Sequence, residues 1–402
     1  MTVLIVGASV AGVRTAQALR MKGFSGLITL VGEEPHLPYD KPPLSKEMIL
    51  PEGDPAPVPL VEQEQLAALS LDLRLGVRVV ELDVSERSVR TDQGELLGFE
   101  HLVIATGATP RRLPGVGVLE GVHTLRTLED AQALRDGMTS ARNVVVIGAG
   151  FIGAEFAAAA AKHGTEVTLV EAQEVPLDHL LGREVGSRLA EVHSAAGNEL
   201  LCGVGVAHIE GNGRVESVVL NDGRRLPADL VVVGIGAAPA TEWLESSGLP
   251  LADGVECGED LQVVGTEGIY AAGDVARWPH PLYGQDVRIE HWTNANDHAG
   301  IIAASITGAS LPKAQVPYVW SDQYGHRIQI VGRPSSGSLT HVSGTLSGGD
   351  LVATYAGVEG ELVGAVVVDD PRLLMKCRKV ITAGSSWESL GLSPASAVER
   401  VG

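Results

Sequence analysis

Residues 3–12 read VLIVGASVAG and open the chain on an apolar strand that runs into a small-residue turn. Gly7, Ser9 and Gly12 take the three fixed places of a G-x-G-x-x-G pattern, with Ser9 as a small replacement for the second glycine. The first place allows a tight turn, the second lets a pyrophosphate approach the backbone, and the third lets helix and strand pack closely. This stretch therefore predicts a strand, a phosphate-binding turn and the start of a helix.

The same order of residues occurs a second time, in the stretch VVVIGAGFIG at residues 144–153. It also follows a β-branched strand and opens a small-residue helix. A single pattern of this kind is weak evidence, but two copies in the same context predict two Rossmann-like nucleotide-binding domains in an α/β protein. The candidate binding residues of the second copy are Gly148, Gly150, Phe151, Ile152 and Gly153.

An acidic residue follows each copy at the end of the next predicted strand. Glu33 closes LITLVGEE and Glu171 closes EVTLVEA, about twenty residues beyond the glycines, where a carboxylate binds a ribose diol. A carboxylate at Glu171 repels a 2′-phosphate, and no arginine in residues 172–174 offers to receive one. The second copy therefore favours NADH over NADPH.

Two further segments have the character of strand ends. The segment HLVIATG at 101–107 is a buried strand that ends in Thr-Gly, and GIYAAGD at 268–274 is a short strand followed by Gly-Asp and, we expect, by a helix. We count as candidate cofactor-binding residues Ala105, Thr106, Gly107, Gly273 and Asp274.

Composition limits the classes of partner. The formal net charge of -20 over 402 residues argues against nucleic acid and against an anionic membrane, because both need a basic face. The three cysteines, Cys202, Cys257 and Cys377, have no metal-binding spacing, so we expect no metal site and a reducing, cytoplasmic location. The first residues lack the features of a signal peptide, and no apolar run is long enough to span a membrane.

In the order of its four motifs the chain resembles FAD-dependent pyridine-nucleotide reductases of the glutathione-reductase type. The resemblance implies that the first fingerprint holds FAD, that Asp274 reaches a ribityl hydroxyl of FAD, and that the second fingerprint belongs to an inserted NADH domain. The implied domains are a discontinuous FAD domain at 1–110 and 243–318, an NADH domain at 111–242 and a small C-terminal α/β domain at 319–402. In the last domain we predict a strand at 362–368 and a helix at 371–382.

Other segments indicate the branch of this family. No cysteine precedes Cys202, so the catalytic thiols of the disulphide reductases are missing, and electrons have to leave from the flavin. The loop PYDKPPLSK at 38–46 resembles that of reductases which serve [2Fe-2S] ferredoxins or rubredoxin in oxygenase and cytochrome P450 systems. GFIGAE at 150–155, EHWTNA at 290–295 and PYVWSDQYGHRIQ at 317–329 extend the same resemblance along the chain.

The resemblance also implies roles for single residues. Lys46 is expected near the flavin, and Glu155 either receives the nicotinamide carboxamide or pairs with Lys46. Trp292 and Trp320 are expected to flank the flavin ring, and backbone N–H groups near residue 292 to meet its oxygens. Lys41 stands where such reductases usually carry arginine. Glu290 and His291 complete the expected cofactor-binding residues.

The resulting hypothesis is an NADH-dependent flavoprotein that passes electrons to a [2Fe-2S] ferredoxin or rubredoxin. Two alternatives remain open at this point. One is an NADH oxidase, and the other is a redox sensor that resembles apoptosis-inducing factor. The sequence indicates neither the oligomeric state nor the oxygenase or P450 that is served.

Overall fold

A computed structural model describes residues 1–50, 55–115 and 119–393. The α-helices are, in chain order, α1 (Val10–Met21), α2 (Gln63–Ala68), α3 (Leu128–Met138), α4 (Phe151–Ala161), α5 (Asp178–Leu181), α6 (Arg183–Ala195), α7 (Trp292–Thr307) and α8 (Pro371–Thr382). The strands are β1 (Thr2–Val6), β2 (Leu27–Gly32), β3 (Asp72–Leu75), β4 (Val79–Asp83), β5 (Ser88–Thr91), β6 (Leu96–Gly98), β7 (His101–Ile104), β8 (Ala108–Pro110), β9 (Val122–His123), β10 (Asn143–Ile147), β11 (Glu166–Val170), β12 (Glu199–Leu201), β13 (Val206–Asn212), β14 (Arg214–Leu220), β15 (Arg225–Pro227), β16 (Leu230–Val233), β17 (Ala237–Pro239), β18 (Leu251–Ala252), β19 (Gly254–Glu256), β20 (Ile269–Ala271), β21 (Ala276–His280), β22 (Gln285–Arg288), β23 (Tyr318–Gln323), β24 (His326–Gly332), β25 (Ser338–Ser343), β26 (Val352–Ala356) and β27 (Leu362–Val368).

The chain forms two compact units, and each is built from three separate segments. The first unit comprises Met1–Asp40, Pro57–Thr109 and Ala237–Pro317. The second comprises Lys41–Ala56, Pro110–Gly236 and Tyr318–Gly402.

The first unit contains a five-stranded parallel sheet in the order β20-β7-β1-β2-β3. The apolar residues of β1 and β7 are almost fully buried, as expected for central strands of a parallel sheet that is covered on both faces. Helix α1 crosses from β1 to β2 and packs against α7. The unit also contains an antiparallel sheet β4-β5-β6 and a four-stranded sheet β18-β19-β21-β22.

The second unit contains another five-stranded parallel sheet, in the order β12-β11-β10-β16-β9. Helix α4 connects β10 with β11, which is the same arrangement that α1 has between β1 and β2. An antiparallel sheet β13-β14-β15 follows in this unit. The two parallel sheets, each with a fingerprint at the end of a central strand, confirm the predicted Rossmann-like α/β fold.

The second unit ends in a five-stranded antiparallel sheet, β23-β24-β27-β26-β25, with α8 packed against β27. The predicted strand at 362–368 and helix at 371–382 are confirmed with the predicted bounds. One face of this sheet shares a buried core with α5 and α6, in which Leu181, Val185 and Leu189 pack with Ile328 and Val366.

Among the described residues, no helix is both long enough and apolar enough to cross a membrane.

Candidate functional site

Glu155 is the centre of a buried polar cluster in the second unit. It lies in the second turn of α4 and is only 5% exposed. One carboxylate oxygen, Oε2, accepts from Lys46 Nζ at 2.8 Å and from the hydroxyl of Ser45. The other oxygen, Oε1, accepts from Ser321 Oγ at 2.7 Å and from the backbone N–H of Asp322 at 3.2 Å. The pairing of Glu155 with Lys46, one of the two predicted alternatives, is therefore present.

The environment of this ion pair explains how it can exist away from water. Burying an ion pair is costly unless further hydrogen bonds satisfy the donors and acceptors that the contact between the two charges leaves unpaired. Glu155 receives a donor from each of two serines and one backbone N–H, and Lys46 also donates to the carbonyl of Pro42 at 3.1 Å.

Ser45 and Ser321 were not predicted as site residues, although both lie in segments that the sequence singled out. Along β23 the side chains alternate, so that Ser321 and Gln323 are buried while Trp320 is only partly buried. Gln323 Nε2 donates to Ser321 Oγ at 3.1 Å and so holds that hydroxyl in place. The signal that could have revealed Ser321 is this alternation next to the predicted Trp320.

The second fingerprint has the backbone that a dinucleotide cradle needs. Gly148 has a φ of +97°, and a Cβ on Gly153 would lie 2.0 Å from the carbonyl oxygen of Gly148, so neither position accepts a side chain. A Cβ on Gly150, by contrast, would meet no heavy atom within 4 Å. Within the described residues no side chain caps the N-terminus of α4, so its first N–H groups fit a pyrophosphate.

The residues around this cradle are also in suitable places. Glu171 follows β11, and its carboxylate accepts the backbone N–H of Ala149 at 2.9 Å and that of Gln173 at 2.9 Å. These bonds fix the carboxylate beside the turn, where a ribose diol would reach it. Phe151 and Ile152 form the first turn of α4, and Ile152 is 43% exposed.

The first unit contains the matching cradle. Gly7 has a φ of +118°, and a Cβ there would lie 2.1 Å from the carbonyl oxygen of Ala105. A Cβ on Gly12 would lie 1.9 Å from the carbonyl oxygen of Gly7. Ser9 is the N-cap of α1, and among the described residues α1 has neither a side-chain cap nor an acid in its first turn. The N-terminus of α1 therefore also fits a phosphate group.

Three further predicted residues lie just beyond the ends of strands, Thr106 and Gly107 after β7 and Glu33 after β2. Thr106 donates its hydroxyl to the carbonyl of Ala240 at 2.9 Å, and Gly107 has a φ of +70° that allows the chain to turn. The side chain of Glu33 is 67% exposed at the end of β2, with Arg78 3.9 Å away. The structure thus leaves Glu33 accessible to a ribose.

The Gly-Asp segment differs from its prediction in one respect. Gly273 has a φ of +73° and starts one turn of 3-10 helix at Gly273–Val275, which places Asp274 three residues after the end of β20. The chain then continues as β21 and not as an α-helix, because residues 276–280 pair with β19 and β22. The expected helix after Asp274 is therefore wrong, and the next α-helix in the chain is α7.

The segment Glu290-His291-Trp292 leads into that helix. His291 is the N-cap of α7, and burial lowers the pKa of its imidazole to about 4. Trp292 is the first residue of α7, so backbone N–H groups near it are at a helix N-terminus. Its indole Nε1 donates to Asp40 Oδ1 at 2.7 Å, a contact that was not predicted. Glu290 is ion-paired with Arg288.

Trp320 and Lys41 lie in the second unit. The Trp320 ring stacks on Tyr318 with a centroid distance of 5.9 Å and an angle of 21°, and the guanidinium of Arg378 lies over the Tyr318 ring. Lys41 Nζ donates to the carbonyl of Arg126 at 3.2 Å.

The cysteines are unsuited to redox chemistry. All three are free thiols, and burial raises the pKa of Cys257 to about 12 and that of Cys377 to about 11. Burial also raises the pKa of Cys202. A thiol needs a lowered pKa to be reactive at neutral pH, so none of these three is a candidate catalytic thiol. No group of metal-ligating side chains occurs among the residues that the structure describes.

Comparison with known proteins agrees with this geometry. The family described as "Pyridine nucleotide-disulphide oxidoreductase" matches residues 1–299, and "Reductase C-terminal" matches residues 318–396. Rhodocoxin reductase of Rhodococcus erythropolis is 38% identical, over 95% of this chain and 89% of the relative. The ferredoxin reductase component of chlorobenzene dioxygenase from Cupriavidus sp. (strain PS12) is 37% identical, over 98% and 95%.

Solved structures show the same likeness. The covalent putidaredoxin reductase–putidaredoxin complex has a chain with a TM-score of 0.90 and 33% identity, covering 95% of this chain and 93% of that one. The ferredoxin reductase for the CYP199A2 system from Rhodopseudomonas palustris has a TM-score of 0.91 and 36% identity, covering 96% and 95%. The chain therefore belongs to the pyridine nucleotide-disulphide oxidoreductase family and ends in a domain of the Reductase C-terminal family.

Proposed function

We propose that this protein is an NADH-dependent ferredoxin reductase that binds FAD and NADH and delivers electrons to a small iron–sulfur protein. The observation that carries the proposal is the combination of two intact dinucleotide cradles with cysteines whose thiol pKa values are all raised. None of the three cysteines is therefore a candidate to accept electrons from the nicotinamide. The names of the relatives, which are reductase components of dioxygenase systems, support the same conclusion.

The two nucleotides are assigned to different domains. FAD is assigned to residues 1–110 and 243–318, NADH to residues 111–242, and residues 319–402 are assigned to a C-terminal α/β domain. The residues that would hold FAD are Gly7, Ser9, Gly12, Glu33, Lys41, Lys46, Ala105, Thr106, Gly107, Gly273, Asp274, Glu290, His291, Trp292 and Trp320. The residues that would hold NADH are Gly148, Gly150, Phe151, Ile152, Gly153 and Glu171.

The chemistry of the reaction belongs to the cofactor, and the protein supplies position and charge. Bound FAD would supply the chemistry of accepting a hydride from NADH and of one-electron transfer to a carrier. Glu171 would bind the adenosine ribose and exclude a 2′-phosphate. Lys46 and Glu155 would present a fixed charge pair to the reacting groups, with Ser45 and Ser321 holding the carboxylate in one orientation. Trp292 and Trp320 are the two side chains that would flank the flavin ring.

The partner is proposed to be a [2Fe-2S] ferredoxin or a rubredoxin that serves an oxygenase or a cytochrome P450. The likeness to a reductase solved in complex with putidaredoxin supports this choice. The net charge of -20 supports the absence of nucleic acid and anionic membrane from the list of partners. A cytoplasmic location is proposed, since a carrier of this kind meets NADH there.

The proposal is tested by anaerobic stopped-flow of the flavin-loaded protein against NADH and NADPH, followed by turnover with a [2Fe-2S] ferredoxin. Fast loss of the flavin colour with NADH, and rapid reduction of the ferredoxin, are expected. A purified protein that binds no flavin would refute the proposal. Fast reduction with transfer only to oxygen would indicate an oxidase, and slow reduction with a long-lived NADH complex would indicate a redox sensor.

A further inference from the structure

His298 makes a buried contact with the backbone of the Gly273–Asp274 turn. Its Nδ1 lies 3.1 Å from the backbone nitrogen of Gly273 and accepts the N–H. His298 lies in the middle of α7 and its side chain is completely buried. No sequence motif drew attention to it.

This hydrogen bond fixes the state of the imidazole. A ring nitrogen that accepts an N–H carries no proton of its own, so the proton of neutral His298 is on Nε2. Burial, with a smaller contribution from His280, lowers the pKa of His298 to about 3, which favours the same neutral form. Nε2 has no hydrogen-bond partner among the described residues. His298 lines a cavity of about 280 Å³ together with Trp278, His280 and Asp297.

The hydrogen bond between His298 and Gly273 acts on a turn whose backbone is also constrained by its other contacts. The backbone N–H of Ala272 is bound to the carbonyl of Ile104 at 2.9 Å, and the next N–H along the chain, that of Gly273, is bound to His298. With a φ of +73°, Gly273 adopts a conformation that favours glycine, and a Cβ there would lie 3.2 Å from the Cβ of Ala11. These two successive hydrogen bonds therefore fix the position of the backbone at Asp274.

We propose that His298 is a positioning residue for FAD, which acts by holding the Gly273–Asp274 turn in the orientation that the ribityl chain requires. The inference rests on the proposed function, because it assumes that Asp274 meets FAD. His298 lies on α7 and would act on the cofactor only through the backbone of the Gly273–Asp274 turn. Loss of the acceptor would leave the Gly273 N–H buried without a partner, and the turn would rearrange to satisfy it.

A packing role is the competing explanation, since His298 lies edge-to-face with Trp278 at a centroid distance of 5.2 Å. Two substitutions separate the explanations. His298→Asn keeps an acceptor oxygen near the place of Nδ1 but loses ring volume. His298→Leu keeps apolar volume but has no acceptor. Positioning predicts that Leu is the worse variant for FAD, whereas packing predicts that Asn is at least as harmful.

The experiment measures FAD binding to the apoprotein by fluorescence quenching, and the melting temperature of the same apoprotein. We expect H298L to weaken FAD binding about tenfold or more, in the range seen for outer partners of bound groups, and H298N to stay within about threefold of the parent. The control H193L removes another buried histidine, in the second unit, and should lower the melting temperature without changing FAD affinity.

If H298L does not fold, His298→Met offers a flexible apolar side chain of similar size for the same measurement. Equal FAD affinities in the parent, H298L and H298N would overturn the proposal, and so would a loss in H298N that matches that in H298L. If the parent protein itself binds no FAD, the proposed function fails. If the parent binds FAD and reduces ferredoxin while H298L binds FAD as tightly, only the role of His298 fails.

Discussion

Glu155 is the residue of the second unit on which a cluster of four buried hydrogen bonds converges. Its two carboxylate oxygens have four hydrogen-bond donors, one of them the ammonium group of Lys46. Removing one member of such a pair leaves the other charge buried without compensation, which is more harmful than replacing both. Stability and the geometry of the site are therefore linked at this position.

Replacement of Glu155 by glutamine keeps the shape and removes the charge. Because Lys46 is only 14% exposed and loses its partner, we expect the free energy of unfolding to fall by about 3 kcal/mol. Hydride transfer from NADH should also slow, and denaturant unfolding with anaerobic stopped-flow would measure both effects. The control Glu81→Gln breaks an exposed pair with Arg90 and should cost less than about 1 kcal/mol. Equal losses in the two variants would contradict the prediction.

Glu171 is predicted to set the choice of nicotinamide cofactor. Replacement by arginine removes the acceptor for the ribose diol and adds a receptor for a 2′-phosphate. We expect KM for NADH to rise about tenfold or more, the equivalent of losing a hydrogen bond to a charged group, about 1.5 kcal/mol, while KM for NADPH falls. Steady-state kinetics with both cofactors tests this. The variant Glu191→Arg makes the same charge change on an exposed part of α6 and should leave the preference unaltered.

At the residue scale, the sequence predicted chemistry only where a residue type is rare or fixed by a motif. Lys46 and Glu155 were identified through their segments, and their pairing was one of two alternatives. Ser45, Ser321 and His298 were not identified, because a serine or histidine has no distinctive local signal. Their roles depend on partners more than twenty residues away in the chain.

The β10–α4–β11 element provides a matched pair of glycine substitutions. A Cβ on Gly150 would meet nothing within 4 Å, and its φ of -71° suits any residue. We therefore expect Gly150→Ala to fold with an unchanged melting temperature and to bind NADH about tenfold more weakly, because the methyl group occupies the space of the pyrophosphate. Calorimetric titration with NADH would show this. Unchanged NADH affinity would mean that the phosphates bind elsewhere.

Gly153→Ala, in contrast to Gly150→Ala, should lower the stability of the fold. The added methyl would lie 2.0 Å from the carbonyl oxygen of Gly148 and 3.2 Å from Val146, so helix and strand must separate. Overpacking of this kind typically costs about 1–3 kcal/mol, and contact with backbone places it at the upper end. Thermal unfolding should show a clear loss of stability even without NADH. A stable G153A protein would show that α4 can shift away from β10.

At the element scale, the strands and helices around both fingerprints could be predicted because their periodicity and glycine spacing are local. The helix expected after Asp274 could not be distinguished from a strand, since residues 276–280 become a strand only by pairing with β19 and β22. The glycine- and serine-rich stretch from 334 to 349 contains β25 for the same reason, since this strand pairs with β26.

For the molecule as a whole, buried histidines predict a loss of stability in mild acid. His193 is 1% exposed, and burial lowers the pKa of its imidazole from 6.5 to about 4. Above pH 6.5 the imidazole of His193 is neutral in both the folded and the unfolded protein, so it does not lower the free energy of unfolding. As the pH falls from 6.5 towards 4, only the unfolded protein gains the proton, and the free energy of unfolding decreases. At pH 5 we expect the free energy of unfolding to be about 2 kcal/mol lower than at pH 7.5.

Measurement of unfolding between pH 7.5 and 5 checks this prediction. His193→Gln removes the titrating group and should flatten the pH dependence by about that amount. His208→Gln, at an exposed position, should leave the dependence as it is. An identical pH profile for H193Q and the parent protein would show that other groups are responsible for acid lability.

At the same scale, two Rossmann-like sheets and a C-terminal sheet with a helix could be predicted, because each has its own sequence pattern. The common core of α5 and α6 with the C-terminal sheet could not, since Leu181 and Ile328 are far apart in the chain and carry only an apolar signal. The division into cofactor domains remains a prediction that the experiments above test.

The segmented first unit also has a consequence for biosynthesis. Strand β7 pairs along one edge with β20, whose residues are translated more than 160 positions later. At about 5–20 residues per second, a ribosome needs roughly 10 to 30 seconds to supply that strand. During this interval β1, β2, β3 and β7 can pair with one another, but the edge of β7 that receives β20 is unpaired and open to other chains. The nascent polypeptide is therefore expected to depend on ribosome-associated chaperones until the segment around Ile269 has been made.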